Sequence, residues 1–282
     1  MLFRITHTTT YTYSQAVTLG PHVIRLRPRP DDSQRLLDFQ LHIEPEPLLL
    51  NESLDLEGNL VHHAGLTGDT DRLRVTSTFT LETLRSDPFD YRLEPGFNRL
   101  PAAYDNYLEV LLAPYREEPA IADSVSQFAH GLAAEAGAEP MAFLTTLNTR
   151  LHQMINREIR PEGNAQLPEV TLATQKGACR DLTVLFMAAC RAQGLATRFV
   201  SGYQKGHPER QHRYLHAWSE VYLPGGGWRG YDPTHGVIVT DEHVPLAAAR
   251  TQEGTMPIQG TFTFNGASVT SQLDFSLTIE AE

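Results

Sequence analysis

Three residues of this 282-residue chain have the side-chain types that nucleophilic catalysis needs. In chain order they are the thiol of Cys179, the imidazole of His216 and the carboxylate of Asp232. A thiol can attack a carbonyl carbon, an imidazole can accept its proton, and a carboxylate can orient the imidazole. A lone cysteine is more often a small buried residue, and a strand histidine or an Asp-Pro turn is also common. Their joint occurrence on suitable elements therefore carries the prediction of a cysteine-dependent active site.

The first of these elements is a predicted helix that begins at the thiol. Apolar residues recur with helical spacing from Cys179 through Cys190, and Gly194 follows where a C-terminal glycine is expected. Unpaired N–H groups and the helix dipole favour a thiolate at such a position. Asp181 lies in the same first turn and would oppose this effect if its carboxylate lay near the sulfur. We therefore expect His216, as an imidazolium, to supply much of the activation.

The second element is a predicted β-hairpin that carries the imidazole and the carboxylate. From His216 onward the residues alternate between two faces, as in a strand. Residues 224–227, Pro-Gly-Gly-Gly, are typical of a turn, and residues 228–231 form the predicted returning strand. Asp232 ends that strand, so the hairpin can bring it beside the imidazole. We expect the carboxylate to face a cleft and to support little of the core.

The reaction also needs hydrogen-bond donors for the oxyanion that forms on the attacked carbonyl. The backbone N–H of Cys179, at the helix start, is one predicted donor. Gln175, four residues earlier, is a candidate for the second, although a solvated loop amide is an equally good interpretation. Trp218, on the His216 face of the strand, is interpreted either as a wall of the site or as a core aromatic residue. Three further histidines are predicted to be surface residues: His207, His212 and His235.

The sequence blocks around these residues resemble the core of the transglutaminase-like superfamily of cysteine enzymes. They are Gly-Ala-Cys-Arg-Asp at 177–181, Phe-Val-Ser-Gly-Tyr at 199–203, His-Ala-Trp-Ser-Glu-Val-Tyr at 216–222 and Tyr-Asp-Pro-Thr at 231–234. The resemblance covers about residues 140–240. It implies that Cys179 is the nucleophile, that His216 acts as general base and then acid, and that Asp232 orients the imidazole. Near the start of the chain, residues 7–13 and 25–29 are similar to the β-rich N-terminal region of bacterial members.

The predicted fold class is α+β. Short alternating segments separated by turns predict a β-sandwich-like N-terminal domain over residues 1–85, followed by a linker over 86–100. A transglutaminase/papain-like core over 101–245 is expected to pack the nucleophile helix on an antiparallel sheet. The alternating tail, 246–282, is predicted to rejoin the N-terminal β domain. Residues 161–176 show no periodicity and are predicted to be a site-lining loop.

Charge and composition exclude several classes of protein. The formal net charge of −11, from 23 basic and 34 acidic residues, argues against a nucleic-acid partner. We expect no membrane partner, because no apolar run approaches the roughly 18 residues needed to cross a bilayer. Cys179 and Cys190 lie about 16 Å apart on one helix and cannot bond to each other. Free thiols and a start without a signal-like segment predict a cytoplasmic location.

The predicted function is cysteine-dependent hydrolysis of, or acyl transfer from, peptide, amide or isopeptide bonds, with a peptide or protein substrate and no cofactor. Transamidation, which would crosslink proteins, is an alternative because water and an amine can attack the same acyl-enzyme. A second alternative is a metal-binding protein that uses His212, His216, Asp232 or His235, although the run around them reads as a strand. A non-catalytic binding module is a third. The sequence leaves the oligomeric state open.

Overall fold

The computed structural model describes residues 1–117, 120–160, 163–206, 213–266 and 268–282. The strands are β1 (Leu2–Ile24), β2 (Gln34–Glu44), β3 (Leu49–Leu54), β4 (Leu60–Gly65), β5 (Asp69–Thr83), β6 (Asn156–Arg157), β7 (Lys176–Gly177), β8 (Thr197–Gln204), β9 (His216–Leu223), β10 (Gly227–Asp232), β11 (Val237–Ile238), β12 (His243–Ala249), β13 (Ile258–Thr263) and β14 (Ser271–Ala281). The helices are α1 (Asn106–Arg116), α2 (Asp123–Glu135), α3 (Pro140–Met154), α4 (Pro168–Thr174) and α5 (Cys179–Arg191), with one 3-10 turn at Glu253–Thr255. In these ranges no helix is both long and apolar enough to cross a membrane.

The N-terminal sheet is built around the long strand β1. Its order is β2-β5-β1-β4-β3, and β13 and β14 also pair with β1, which makes seven strands in one sheet. Side chains along β1 alternate between buried and more exposed, and Phe3 and Ile5 are buried on the same face. The strand is continuous from Leu2 through Ile24.

The second sheet carries two of the residues predicted to be catalytic, His216 and Asp232. Its order is β11-β10-β9-β8-β12, and all of its pairs are antiparallel. Helix α5 lies against β9 and β8, and its buried side chains form one core with α2, α3 and the inner residues of β9 and β10. The predicted combination of a β-rich N-terminal region and a helix-on-sheet core is confirmed.

The two sheets share a hydrophobic core. Tyr203 of β8 and Val244 and Leu246 of β12 pack in the same buried cluster as Phe79 of β5. Hydrogen bonds cross the boundary as well, from Thr83 Oγ1 to the carbonyl of residue 241 and from residue 34 to the carbonyl of residue 245. The second sheet therefore forms the layer that covers the buried face of the N-terminal sheet.

Strands β13 and β14 return the C-terminal segment to the N-terminal sheet. Along β14 the register runs from Phe3 opposite Ala281 to Tyr13 opposite Ser271. Strand β12, which spans the predicted boundary at residue 245, pairs with β8 and belongs to the second sheet. The division into domains stays a prediction, because one core joins the two parts.

Two segments predicted to lie between regular elements pack against α5. The predicted linker, residues 86–100, has no helix or strand, but Phe97 and Leu100 within it are buried in the core around α5. Within 161–176, Pro168–Thr174 forms α4, which packs on α5. The prediction of a structureless loop there is wrong for residues 168–174, because a helix this short depends on packing rather than on periodicity.

Candidate active site

Helix α5 begins at Cys179, as the sequence predicted. The N–H of Ala178 donates to Asp181 Oδ2 at 2.7 Å. The other carboxylate oxygen of Asp181 accepts from Arg160 Nη2 at 2.7 Å and from the Gln166 N–H at 2.8 Å. Asp181 is fully buried, and its charge is paired with a guanidinium. The Asp181 carboxylate was expected to disfavour a thiolate at Cys179. Because its charge is paired, that effect is largely offset.

The Cys179 thiol is partly exposed and lies against the start of β9. It hydrogen-bonds with the His216 ring, and the backbone N–H of Ala217 donates to the sulfur. Burial raises the pKa of Cys179, but the hydrogen bond and the charge of His216, together with the Ala217 N–H, bring that pKa below its usual value. The thiolate is thus favoured where the nucleophile is needed.

The His216 ring bridges the thiol and the carboxylate. Its Nε2–H donates to Asp232 Oδ2 at 2.8 Å, so Nδ1 is the nitrogen that remains for Cys179. His216 begins β9 and Asp232 ends the neighbouring strand β10, which is the hairpin geometry that the sequence predicted. Burial lowers the pKa of His216, but the charges and hydrogen bonds of Asp232 and Cys179 raise it to about 10. These contacts favour the imidazolium form of the ring.

Asp232 is fully buried rather than facing a cleft, which corrects the expectation from sequence. Its Oδ1 accepts the backbone N–H groups of Thr234 at 3.0 Å and His235 at 3.2 Å. Its Oδ2 accepts from His216 and also from His235 Nδ1 at 2.7 Å and His243 Nε2 at 3.1 Å. Burial raises the pKa of Asp232, but the charge of His216 and the three imidazole donors hold it well below its usual value. The carboxylate stays ionised.

The sequence did not identify His243 as a site residue, and it named His235 only in the metal-binding alternative. His235 was predicted to be a surface residue, yet its side chain is 29% exposed and bonds to Asp232. The prediction for His235 is wrong because its turn folds back over the carboxylate. His243 begins β12 and is buried. The other two histidines predicted to be surface residues, His207 and His212, lie outside the described residues.

Trp218 and Gln175 have different positions relative to the triad. The Trp218 ring is fully buried, 6.0 Å from the His216 ring and 5.2 Å from the His243 ring between centroids. It is therefore a core aromatic residue that also supports the base. Gln175 ends α4 in the left-handed conformation and its side chain is exposed. Within the described residues no hydrogen bond joins that side chain to Cys179, and its oxyanion role stays a prediction.

The metal interpretation can be weighed against this geometry. The nearest ligand atoms of His216, Asp232 and His243 lie within 4.8 Å of one another. The Nε2 atoms of His216 and His243, however, lie 2.8 and 3.1 Å from Asp232 Oδ2, which are ordinary N–H···O hydrogen-bond distances. A hydrogen-bonded network accounts for this arrangement, and His212, which the metal hypothesis also names, is outside the described residues.

Comparisons with known proteins give two family matches and several relatives. Residues 3–82 match the bacterial transglutaminase-like N-terminal region, and residues 127–233 match the transglutaminase-like superfamily. An uncharacterized protein of Mycobacterium tuberculosis is 28% identical over 293 residues, which cover 98% of this chain and 92% of that protein. A protein-glutamine gamma-glutamyltransferase of Pseudomonas aeruginosa is 30% identical over 113 residues, but these cover 36% of this chain and 17% of that protein.

A solved structure shows the same fold. The crystal structure of a candidate cysteine protease from Cytophaga hutchinsonii superposes with a TM-score of 0.70 at 18% identity, over 99% of this chain and 90% of that chain. The superfamily match spans Cys179, His216 and Asp232. The chain belongs to the transglutaminase-like superfamily and carries the bacterial transglutaminase-like N-terminal region.

Proposed function

We propose that this protein is a cysteine-dependent enzyme that cleaves amide bonds in peptides or proteins through an acyl-enzyme on Cys179. The continuous chain of contacts from Asp232 through His216 to the Cys179 sulfur carries the proposal. Its parts match the roles of nucleophile, acid–base group and orienting carboxylate. We propose that the N–H of Cys179 stabilises the oxyanion, because the first N–H groups of a helix have no acceptor within it.

The reaction would proceed in two balanced steps. The Cys179 thiolate attacks the substrate carbonyl carbon, the C–N bond breaks, and the departing amine takes the proton from His216 Nδ1. A thioester and a neutral imidazole remain. Water then adds to the thioester while His216 accepts its proton, the C–S bond breaks, and a carboxylic acid leaves. Asp232 stays ionised throughout and stabilises the imidazolium that forms in each cycle.

Transamidation is the second candidate, and the likeness to a protein-glutamine gamma-glutamyltransferase over 113 residues favours it. In transamidation a primary amine attacks the thioester in place of water and a new amide forms. The site chemistry up to the thioester is the same in both cases. The acceptor that reaches the thioester decides between them.

The experiment is mass spectrometry of a peptide library incubated with the protein, with and without added hydroxylamine. Hydrolysis of an internal peptide bond yields two fragments, loss of a side-chain amide adds about 1 Da, and transfer to hydroxylamine yields a hydroxamate. Cys179→Ala should abolish every product, whereas the matched control Cys190→Ala should retain them, because Cys190 is fully buried in the core. Products that persist in folded Cys179→Ala, or that depend on a metal found in the purified protein, would overturn the proposal.

A further inference from the structure

The Asp232 carboxylate receives more hydrogen bonds than a triad requires. Three imidazole nitrogens, from His216, His235 and His243, lie 2.8, 2.7 and 3.1 Å from the single atom Oδ2. With the N–H groups of Thr234 and His235 on Oδ1, five donors surround a carboxylate that has about four lone-pair positions. Rotation about its Cβ–Cγ bond would break several of these bonds at once. Asp232 is therefore fixed in orientation as well as in charge.

The extra donors come from two separate places in the fold. His235 follows β10 in a turn, and its side chain reaches partly into solvent. His243 begins β12, which pairs with β8 and is separated from β10 by two strands. The two residues enclose the carboxylate from the local turn and from a distant strand. The packing of one element alone would not produce this convergence.

The His243 ring is suited to donate while remaining neutral. Because Nε2–H faces Asp232, a neutral ring leaves Nδ1 as an acceptor. Within the described residues His243 Nδ1 and Trp218 Nε1 are both buried without a protein partner, and both residues line one cavity of about 20 Å³. A cavity of that size has room for one water, which could accept from the indole N–H and donate to Nδ1. Burial lowers the pKa of His243, which also favours the neutral ring.

Neutral donors have a specific advantage at this position. A guanidinium or ammonium in the place of His243 would offset the Asp232 charge and weaken its hold on the His216 imidazolium. An imidazole N–H fills a lone-pair position without adding a full charge. The geometry thus keeps the carboxylate both immobile and available to the base.

We propose that His235 and His243 are positioning residues that hold Asp232 Oδ2 against His216, so that the working unit is one carboxylate shared by three imidazoles. This inference rests on the proposed function of the same site. The residues act through Asp232 on the orientation of His216. At metal sites, loss of the hydrogen-bond partners that orient the ligands typically costs 10- to 100-fold, and by analogy we expect about 10-fold per residue.

The test measures the rate of Cys179 alkylation by iodoacetamide across pH, since this readout needs no substrate. The variants that remove a donor are His235→Ala and His243→Leu. His235→Asn and His243→Gln keep an N–H donor near the position of the original ring nitrogen. We expect each substitution that removes a donor to slow alkylation about 10-fold near neutral pH and to raise the apparent pKa of the reaction. The substitutions that keep a donor should recover most of the rate. His62→Leu is the matched control, because His62 is buried in β4 within the N-terminal sheet.

The same substitutions in an Asp232→Asn background separate positioning from general damage. If His235 and His243 act through Asp232, their removal should change alkylation less than about 2-fold once the carboxylate is gone. An equal loss in both backgrounds, or wild-type profiles in folded single variants, would overturn the inference. Should His243→Leu fail to fold, the partly exposed His235 still provides the test. If Asp232→Asn itself leaves alkylation unchanged, the proposed triad fails instead.

Discussion

Replacement of Asp232 by Asn is the most direct test of the proposed triad. The variant keeps the shape of the side chain but loses its charge. If the amide NH2 faces the histidines, it meets ring nitrogens that now donate to Oδ2, so those rings must change tautomer or rotate. A His216 ring that accepts at Nε2 carries its proton on Nδ1, the atom that should take the thiol proton. The base is then in the wrong tautomer for catalysis.

The pKa of His216 indicates the scale of the effect. That pKa is about 10, against an ordinary value of 6.5, and each unit corresponds to about 1.4 kcal/mol. The net shift corresponds to about 5 kcal/mol in favour of the imidazolium after the opposing effect of burial, and Asp232 and Cys179 share the stabilisation behind it. Carboxylate-to-amide changes in serine-enzyme triads reduce turnover about 10^4-fold. We expect a loss of about 10^2-fold or more.

The assay is the pH dependence of Cys179 alkylation, with turnover measured on any peptide that the library identifies. In wild type, alkylation should rise through a Cys179 pKa below the usual range, and the imidazolium should persist up to a pKa of about 10. In Asp232→Asn the rise should move to higher pH. Because Asp232 is buried, unfolding free energy should also fall by about 1–3 kcal/mol, so circular dichroism and a melting curve are needed as controls. Identical alkylation curves and near-normal turnover in a folded variant would remove Asp232 from the site.

Three further outcomes follow from burial and packing. Cys190→Ala should leave alkylation by iodoacetamide, measured by mass spectrometry, unchanged, because burial raises the pKa of the Cys190 thiol well above its usual value. Labelling of Cys190 before Cys179 would contradict the assignment of Cys179 as the reactive thiol. Burial lowers the pKa of His7 from 6.5 to about 4, so its contribution to stability is complete above pH 6.5 and lost as pH falls toward 4, up to about 3 kcal/mol. The free energy of unfolding of His7→Asn, measured with denaturant, should therefore change less with pH over that window than the wild-type value does. An unchanged pH dependence would exclude this contribution. Leu246→Ala in the shared core should cost about 2–5 kcal/mol and keep a single transition in calorimetry, whereas two separate transitions would show that the sheets unfold independently.

The parts of the fold that could be predicted are those set by local pattern. The hairpin that joins His216 to Asp232 has a short glycine-rich turn, so its register follows from adjacent sequence. The nucleophile helix follows from apolar spacing and its closing glycine. Helix α4 was not predicted because its stability comes from packing on α5 rather than from its own seven residues. In the same way, Phe97 and Leu100 belong to a segment whose proline and glycine content indicated a linker, although tertiary contacts bury them.

The shared carboxylate could not be predicted, because His243 reaches it through a non-local strand pairing. Its strand lies beside β8, and the approach of that strand depends on Gly202. A Cβ at Gly202 would lie 2.2 Å from the Val244 carbonyl oxygen and 2.6 Å from Trp218 Cη2, closer than packed atoms allow. Gly202 also pairs with His216 across β8 and β9. The glycine in the sequence block at 199–203 thus has a physical reason: it lets the strand of His243 and the Trp218 ring pack closely behind His216.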